Sequence, residues 1–183
     1  VRVVELRDQV LPGMIHSELA DMLKRHWEAK GIRIDLGTSL SEIRGQEAIL
    51  SSGEKIRCDL AVAAVGIRPN LDLVRGLPVA VREGILVNDG METTVPGIYA
   101  CGDVAEYRDF FTGKSRLNPN VISAAEQGQR AARSLMGKRD PHPGVVSINV
   151  FRCPGLELFS LGRFMPDPGD ALLDRAAPDH RRL

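Results

Sequence analysis

The sequence is short of cysteine: Cys58, Cys101 and Cys153 are the only three in 183 residues, and no CxxC pair occurs. An odd count at wide spacing argues against a disulfide scaffold and favours a reducing cytoplasm. Without CxxC, neither a zinc knuckle nor a local redox pair is encoded. Excess charge of either sign is also absent, because 24 Lys and Arg balance 24 Asp and Glu. Nucleic acid and acidic membrane surfaces are therefore not expected partners. The longest apolar run, Leu60 to Gly66, is far too short to cross a bilayer. No charged start leads into an apolar stretch, so no signal peptide is read. His16, His26, His142 and His180 are scattered and lack ligand spacing, so no metal is assigned. GxSxG, HExxH and paired-carboxylate patterns are missing too. The chain opens in an apolar run without an initiating Met and ends at Asp179-His180-Arg181-Arg182-Leu183; we expect a piece of a longer protein.

What is present is ordinary for a globular protein: 43% apolar and 26% charged residues. Residues 1–6 read as a buried strand. Residues 15–30 read as an amphipathic helix, with Ile15, Leu19, Met22, Leu23 and Trp27 on one face. Residues 32–36 return as a strand, completing a strand–helix–strand unit of a parallel sheet. Three short strands at 38–44, 46–51 and 54–57 suggest an antiparallel meander. Residues 59–65 are small and apolar and predict a central strand buried on both faces. Short strands are expected at 85–88 and 97–101, a hairpin at 106–116 and a helix over 120–136. Residues 141–144 look like a linker, and 146–152 and 156–161 like strands of a further domain.

Four places carry chemistry. Glu5 ends the first strand, where an acid can accept hydrogen bonds from both ribose hydroxyls of an adenosine and repel a 2′-phosphate. Arg7 nearby weakens that preference, and taken alone a solvated strand-end acid is the commoner reading. Gly66 ends the apolar run and would let a ligand approach the backbone, although a plain strand-to-loop turn fits as well. The string Thr93 through Cys101 feeds Gly102 and then Asp103, an acid that can accept from a polyol such as a flavin ribityl chain. Cys101, among small residues, is expected to pack as a small hydrophobe. Asn118-Pro119-Asn120 leads into the second helix from Val121, whose N-terminus would stabilise negative charge on a reduced flavin or simply be a capped surface helix.

Together these segments resemble the pyridine nucleotide–disulfide oxidoreductase superfamily, in its NADH oxidase, coenzyme A-disulfide reductase, ferredoxin or rubredoxin reductase and NADH-nitrite reductase branches. The matching strings are Val1 to Glu5, Ala63 to Asn70, Thr94 to Glu106 and Gln127 to Ala132. The resemblance covers residues 1–162; Phe159 to Phe164 and Pro168-Gly169-Asp170 look like the nitrite reductase branch. It implies an α/β, Rossmann-like three-layer fold. Residues 1–78 would be part of an NAD(P)-binding domain, 79–140 the returning part of an FAD-binding domain and 141–183 the start of a truncated interface domain. It also implies FAD and NAD as cofactors, with NADP disfavoured. Glu5 would hold the ribose, Gly66 the nicotinamide end, Gly102 and Asp103 the flavin ribityl region, and Asn120 and Val121 the helix end facing the flavin. Hydride would pass from reduced nicotinamide to flavin and electrons on to an acceptor: a disulfide, oxygen, an electron-transfer protein or a nitrite-reducing centre. The parent would be a homodimer or part of an electron-transfer complex. The family needs two GxGxxG loops and this sequence has none, so the chain alone is expected to be inactive. The alternatives are a non-catalytic nucleotide-binding or assembly module, and an electron-transfer docking subunit using a patch around Phe151, Leu156 and Phe159.

Overall fold

The computed structural model describes residues 1–138 and 144–163, and the backbone of 175–177 and 180–182. In chain order the first elements are β1 (Arg2–Val4), α1 (Ser17–Glu28), β2 (Arg33–Asp35), β3 (Leu40–Arg44), β4 (Glu47–Leu50) and β5 (Lys55–Arg57). Next come β6 (Ile85–Leu86), β7 (Ala105–Arg108), β8 (Ser115–Leu117) and α2 (Val121–Leu135). The last are β9 (Ile148–Cys153), β10 (Leu156–Leu161), β11 (Arg175–Ala177) and β12 (His180–Arg182). Contacts divide the chain into two compact units, residues 1–63 with 151–183, and residues 64–150. The expected linker at 141–144 lies outside the described residues except for Gly144, as do Phe164 and Pro168-Gly169-Asp170. Among the described residues, no helix is long and apolar enough to cross a membrane.

The first unit is organised by the expected strand–helix–strand element. β1 and β2 pair in parallel, Val3 opposite Ile34. The crossover helix α1 turns Ala20 and Leu23 inward to meet Val10, Ile15 and Ile34. Burying Leu23 alone contributes about 1.5–3 kcal/mol. The meander forms as read, β3–β4–β5 being antiparallel. Arg2 ties it to the parallel pair: its guanidinium bonds the Asp35 carboxylate and grips Glu54 in a fork at 2.8 and 2.7 Å. The Arg2 hydrogen bonds hold both carboxyls below the usual range.

β9 and β10 are joined by Pro154-Gly155 and alternate in burial along their length. The inner residues Phe151, Cys153, Leu156 and Leu158 pack against the α1 core, with Trp27 meeting Phe151 edge-on at 5.4 Å. This corrects the expected docking patch: Phe151 and Leu156 are spent on packing, and only Phe159 of the three is exposed, at 64%.

In the second unit β6 runs parallel to β7, and β7 antiparallel to β8. The hairpin turn is built on Asp109, whose buried carboxylate accepts from the N–H groups of Phe111 and Thr112 and the Thr112 hydroxyl. Glu106 of β7 is 1% exposed and accepts from Arg82, from Glu83 N–H and from Gly84 N–H, the last two at 3.1 Å. Gly84 is needed there, because a Cβ would lie 2.6 Å from the Val104 carbonyl oxygen. The strand expected at 97–101 is reduced to one bridge, Glu92 to Tyr99.

The largest correction concerns residues 59–65. They form no strand and are exposed, Leu60 at 81% and Val65 at 92%. A run buried on both faces of a parallel sheet needs a hydrogen-bonding strand at each edge and cover on each face. Among the described residues nothing supplies these, so the backbone is left to water.

Two outcomes follow for stability. Leu23→Ala should lower unfolding free energy by about 2–5 kcal/mol, read by urea titration of Trp27 fluorescence. Burial raises the Glu106 carboxyl pKa, but Arg82 and the two N–H groups outweigh it and hold the group below its ordinary 4.5. A depressed carboxyl stabilises above the unfolded value and loses that contribution as pH falls through the folded one. Glu106→Gln should therefore cost about 1.5–3 kcal/mol at pH 7. Its deficit against the parent chain should shrink as pH falls below about 4.5; a deficit constant down to about pH 3 would contradict this assignment.

Candidate functional site

Gly102 and Asp103 open a 3-10 turn, Gly102–Val104, between the extended residues before it and β7. Ala100 enters buried and bonded to the Met91 carbonyl at 3.0 Å. Gly102 then takes φ +79°, a left-handed value that L side chains resist. A Cβ placed on it would meet only the Ala124 methyl, at 3.8 Å, so what requires glycine here is the backbone angle. The Asp103 carboxylate is exposed, and the Gly102 N–H donates to Gln127 Oε1 at 2.7 Å. Cys101 is exposed rather than packed, a correction: its neighbours are small, but the turn carries it to the surface.

α2 begins beside this turn. Asn120 is its cap, extended in backbone, its side-chain oxygen accepting from Ser123 N–H at 2.8 Å. Asn118 supports the cap, donating to Ser123 Oγ at 2.8 Å and accepting from Asn120 Nδ2 at 3.2 Å. Val121 and Ile122 follow, exposed, in the first turn, whose N–H groups have no intrahelical acceptor. The cap residues Asn120 and Ser123, with Ile122, Glu126, Val145 and Ile148, also line a cleft of about 280 Å³.

Gly102, Asp103, Asn120 and Val121 are thus gathered in one corner of the second unit. Gly66 has φ +89° and lies in the exposed run, where a Cβ would meet nothing within 4 Å, so it is not packed into that corner. Glu5 sits in the first unit, directly after the C-terminal end of β1. Its N–H donates to the Asp35 carbonyl at 2.9 Å and its carboxylate accepts from Arg7 N–H at 2.8 Å. Sequence reading placed Asn118 in the lead-in to the helix and Gln127 in a family-like string, but gave neither Gln127 nor Ser123 a role of its own. A buried Gln and Ser on a helix face of small residues is the only local signal for them.

The cap makes a simple prediction. Asn120→Ala should cost about 0.5–2 kcal/mol and Asn120→Asp much less, by denaturant titration; equal losses would show that the cap bond contributes little.

Residues 1–131 match the family described as pyridine nucleotide-disulphide oxidoreductase. The chain is 32% identical over 166 residues to an NADH oxidase of Methanocaldococcus jannaschii, covering 88% of this chain and 37% of that protein. The structure of a NAD-dependent persulfide reductase from A. fulgidus matches with TM-score 0.77 and 31% identity over 83% of this chain and 29% of that one. A FAD-dependent pyridine nucleotide-disulphide oxidoreductase from Desulfovibrio vulgaris matches with TM-score 0.75 and 27% identity, over 82% and 40% of the two chains. The chain therefore spans between a quarter and two fifths of the length of these proteins. With the family match running unbroken through β1, the Gly102–Asp103 turn and most of α2, the chain belongs to the pyridine nucleotide-disulphide oxidoreductase family.

Proposed function

We propose that the chain is part of an FAD-dependent oxidoreductase that takes hydride from NADH and passes electrons to a separate acceptor. The observation that carries this reading is the Gly102–Asp103 turn, which presents an exposed carboxylate beside the capped N-terminus of α2. These residues suit a flavin. Asp103 would accept from ribityl hydroxyls, Gly102 leaves the backbone bare, and the first-turn N–H groups at Val121 offer positive potential to an anionic ring edge. Bound there, the flavin supplies two-electron acceptance from reduced nicotinamide and onward release.

Glu5 would hold the adenosine ribose and Gly66 would lie against the nicotinamide, favouring NAD over NADP. On this reading residues 1–78, 79–140 and 141–183 are contributions to a nicotinamide domain, a flavin domain and an interface domain. The relatives' names, an NADH oxidase and a persulfide reductase, support a shared reductive half with differing acceptors. Since no GxGxxG loop is present, the chain alone should neither hold FAD tightly nor turn over.

The test uses the longer parent protein. It should purify yellow and bleach anaerobically with NADH faster than with NADPH; a colourless protein indifferent to both would defeat the proposal and favour a non-catalytic module. Asp103→Ala should weaken FAD binding about 10–100-fold, the loss of a charge-assisted hydrogen bond of about 1.5–3 kcal/mol. Glu5→Ala should raise the NADH KM about tenfold with kcat little changed; an unaltered KM would remove Glu5 from the ribose site.

A further inference from the structure

We propose that Gln127 is a positioning residue, whose amide oxygen locks the Gly102–Asp103 turn to α2 and so aims the Asp103 carboxylate. This rests on the flavin reading given above for Asp103, and it adds a residue to which that reading assigns nothing.

Three observations combine. First, Gly102 adopts φ +79°. Glycine permits that angle but does not enforce it, because it visits both signs of φ readily. A turn that depends on glycine therefore needs a constraint from elsewhere to stay in one state. Second, the local bonding of the turn is the Ala105 N–H to the Gly102 carbonyl, which closes its far end and leaves the Gly102 N–H without a local acceptor. Its cap residue Cys101 makes no side-chain capping bond, and the N–H groups at the start of a short helical turn lack internal acceptors. Third, the missing acceptor comes from 25 residues on: Gln127 Oε1 receives the Gly102 N–H at 2.7 Å. Gln127 is 3% exposed, so water is poorly placed to substitute. A backbone N–H can only donate, which fixes the amide oxygen toward Gly102.

The same helix places Ala124 one turn earlier against Gly102, at 3.8 Å from a Cβ built there. Gly102 is thus seated on a small side chain and held by a long polar one from a single face of α2. The choice of Gln has a chemical sense. A carboxylate at this buried position would also accept the N–H, but it would set a second negative charge close to Asp103 and any anionic ligand. The amide supplies the acceptor without that charge.

The experiment compares Gln127→Met, similar in length and without a strong acceptor, with Gln127→Glu, which keeps one, in the longer parent protein. Two quantities are read: hydrogen-exchange protection at the Gly102 amide in flavin-free protein, and the FAD dissociation constant. For Gln127→Met, protection should fall and the FAD constant rise, each about tenfold, the scale of one lost buried hydrogen bond. Gln127→Glu should keep the protection and shift the flavin midpoint potential downward, because it adds negative charge beside the Gly102–Asp103 turn that would hold the flavin. Unchanged protection in folded Gln127→Met overturns the lock. Lost protection with unaltered FAD affinity overturns the aiming role. Should Gln127→Met fail to fold, loss of Gly102 protection in Gln127→Glu overturns the proposal by itself. An Asp103→Ala protein that binds FAD normally would refute the flavin reading, while Gly102 protection would still decide whether Gln127 holds the turn.

Discussion

The second unit depends on a single buried carboxylate. Glu106 sits on β7 two residues after the Gly102–Val104 turn and accepts from Arg82, Glu83 and Gly84, which lead into β6. β6 is only two residues long, so its parallel ladder with β7 is too short to hold register by backbone bonds alone. The carboxylate makes up the shortfall by taking N–H groups from the segment that precedes β6 and a guanidinium that also reaches the Ser115 carbonyl on β8. One side chain thereby gathers β6, β7 and β8. The turn that carries Asp103 inherits its position from that junction on one side and from α2 on the other. A charged group so deep is tolerable only because its donors are supplied in full.

Features with a local rule were readable from sequence. The α1 face of Ile15, Leu19, Met22, Leu23 and Trp27 follows helical spacing, and all of these except Met22 pack into or against the first core, with Ala20 taking the remaining inward position. The meander followed from Gly45 and Ser52-Gly53, and the cap of α2 from Asn118-Pro119-Asn120. What could not be read were the contacts made at a distance. Gln127 to Gly102 spans 25 positions and Arg2 to Glu54 spans 52, and neither has a periodicity. Cys101 was misjudged for a related reason. Small flanking residues suggested packing, yet the positive φ of the next glycine turns the chain outward there.

Residues 59–65 show the limit of composition as a guide to burial. Their sequence specifies a strand that cannot form alone, since a parallel-sheet strand takes all its hydrogen bonds from other strands. β1 and β2, by contrast, carry their crossover helix with them and form a pair from 35 residues of local chain. The difference lies in where each element's partners reside in the sequence.

The same logic bears on nucleotide choice under the proposed function. Three charges lie close along β1: Arg2, Glu5 and Arg7. Arg2 is spent, because its guanidinium is neutralised by Asp35 and Glu54. Glu5 is oriented by the Arg7 N–H, so the backbone of Arg7 assists the acid even though its side chain has the opposite sign. A ribose hydroxyl needs an acceptor in a fixed direction, which this arrangement supplies. A 2′-phosphate needs a cation held as firmly, and the cation that is held firmly here, Arg2, is already paired. Under the proposed function, a preference for NAD would thus rest on which charge the backbone has committed, rather than on how many of each sign stand near the strand end.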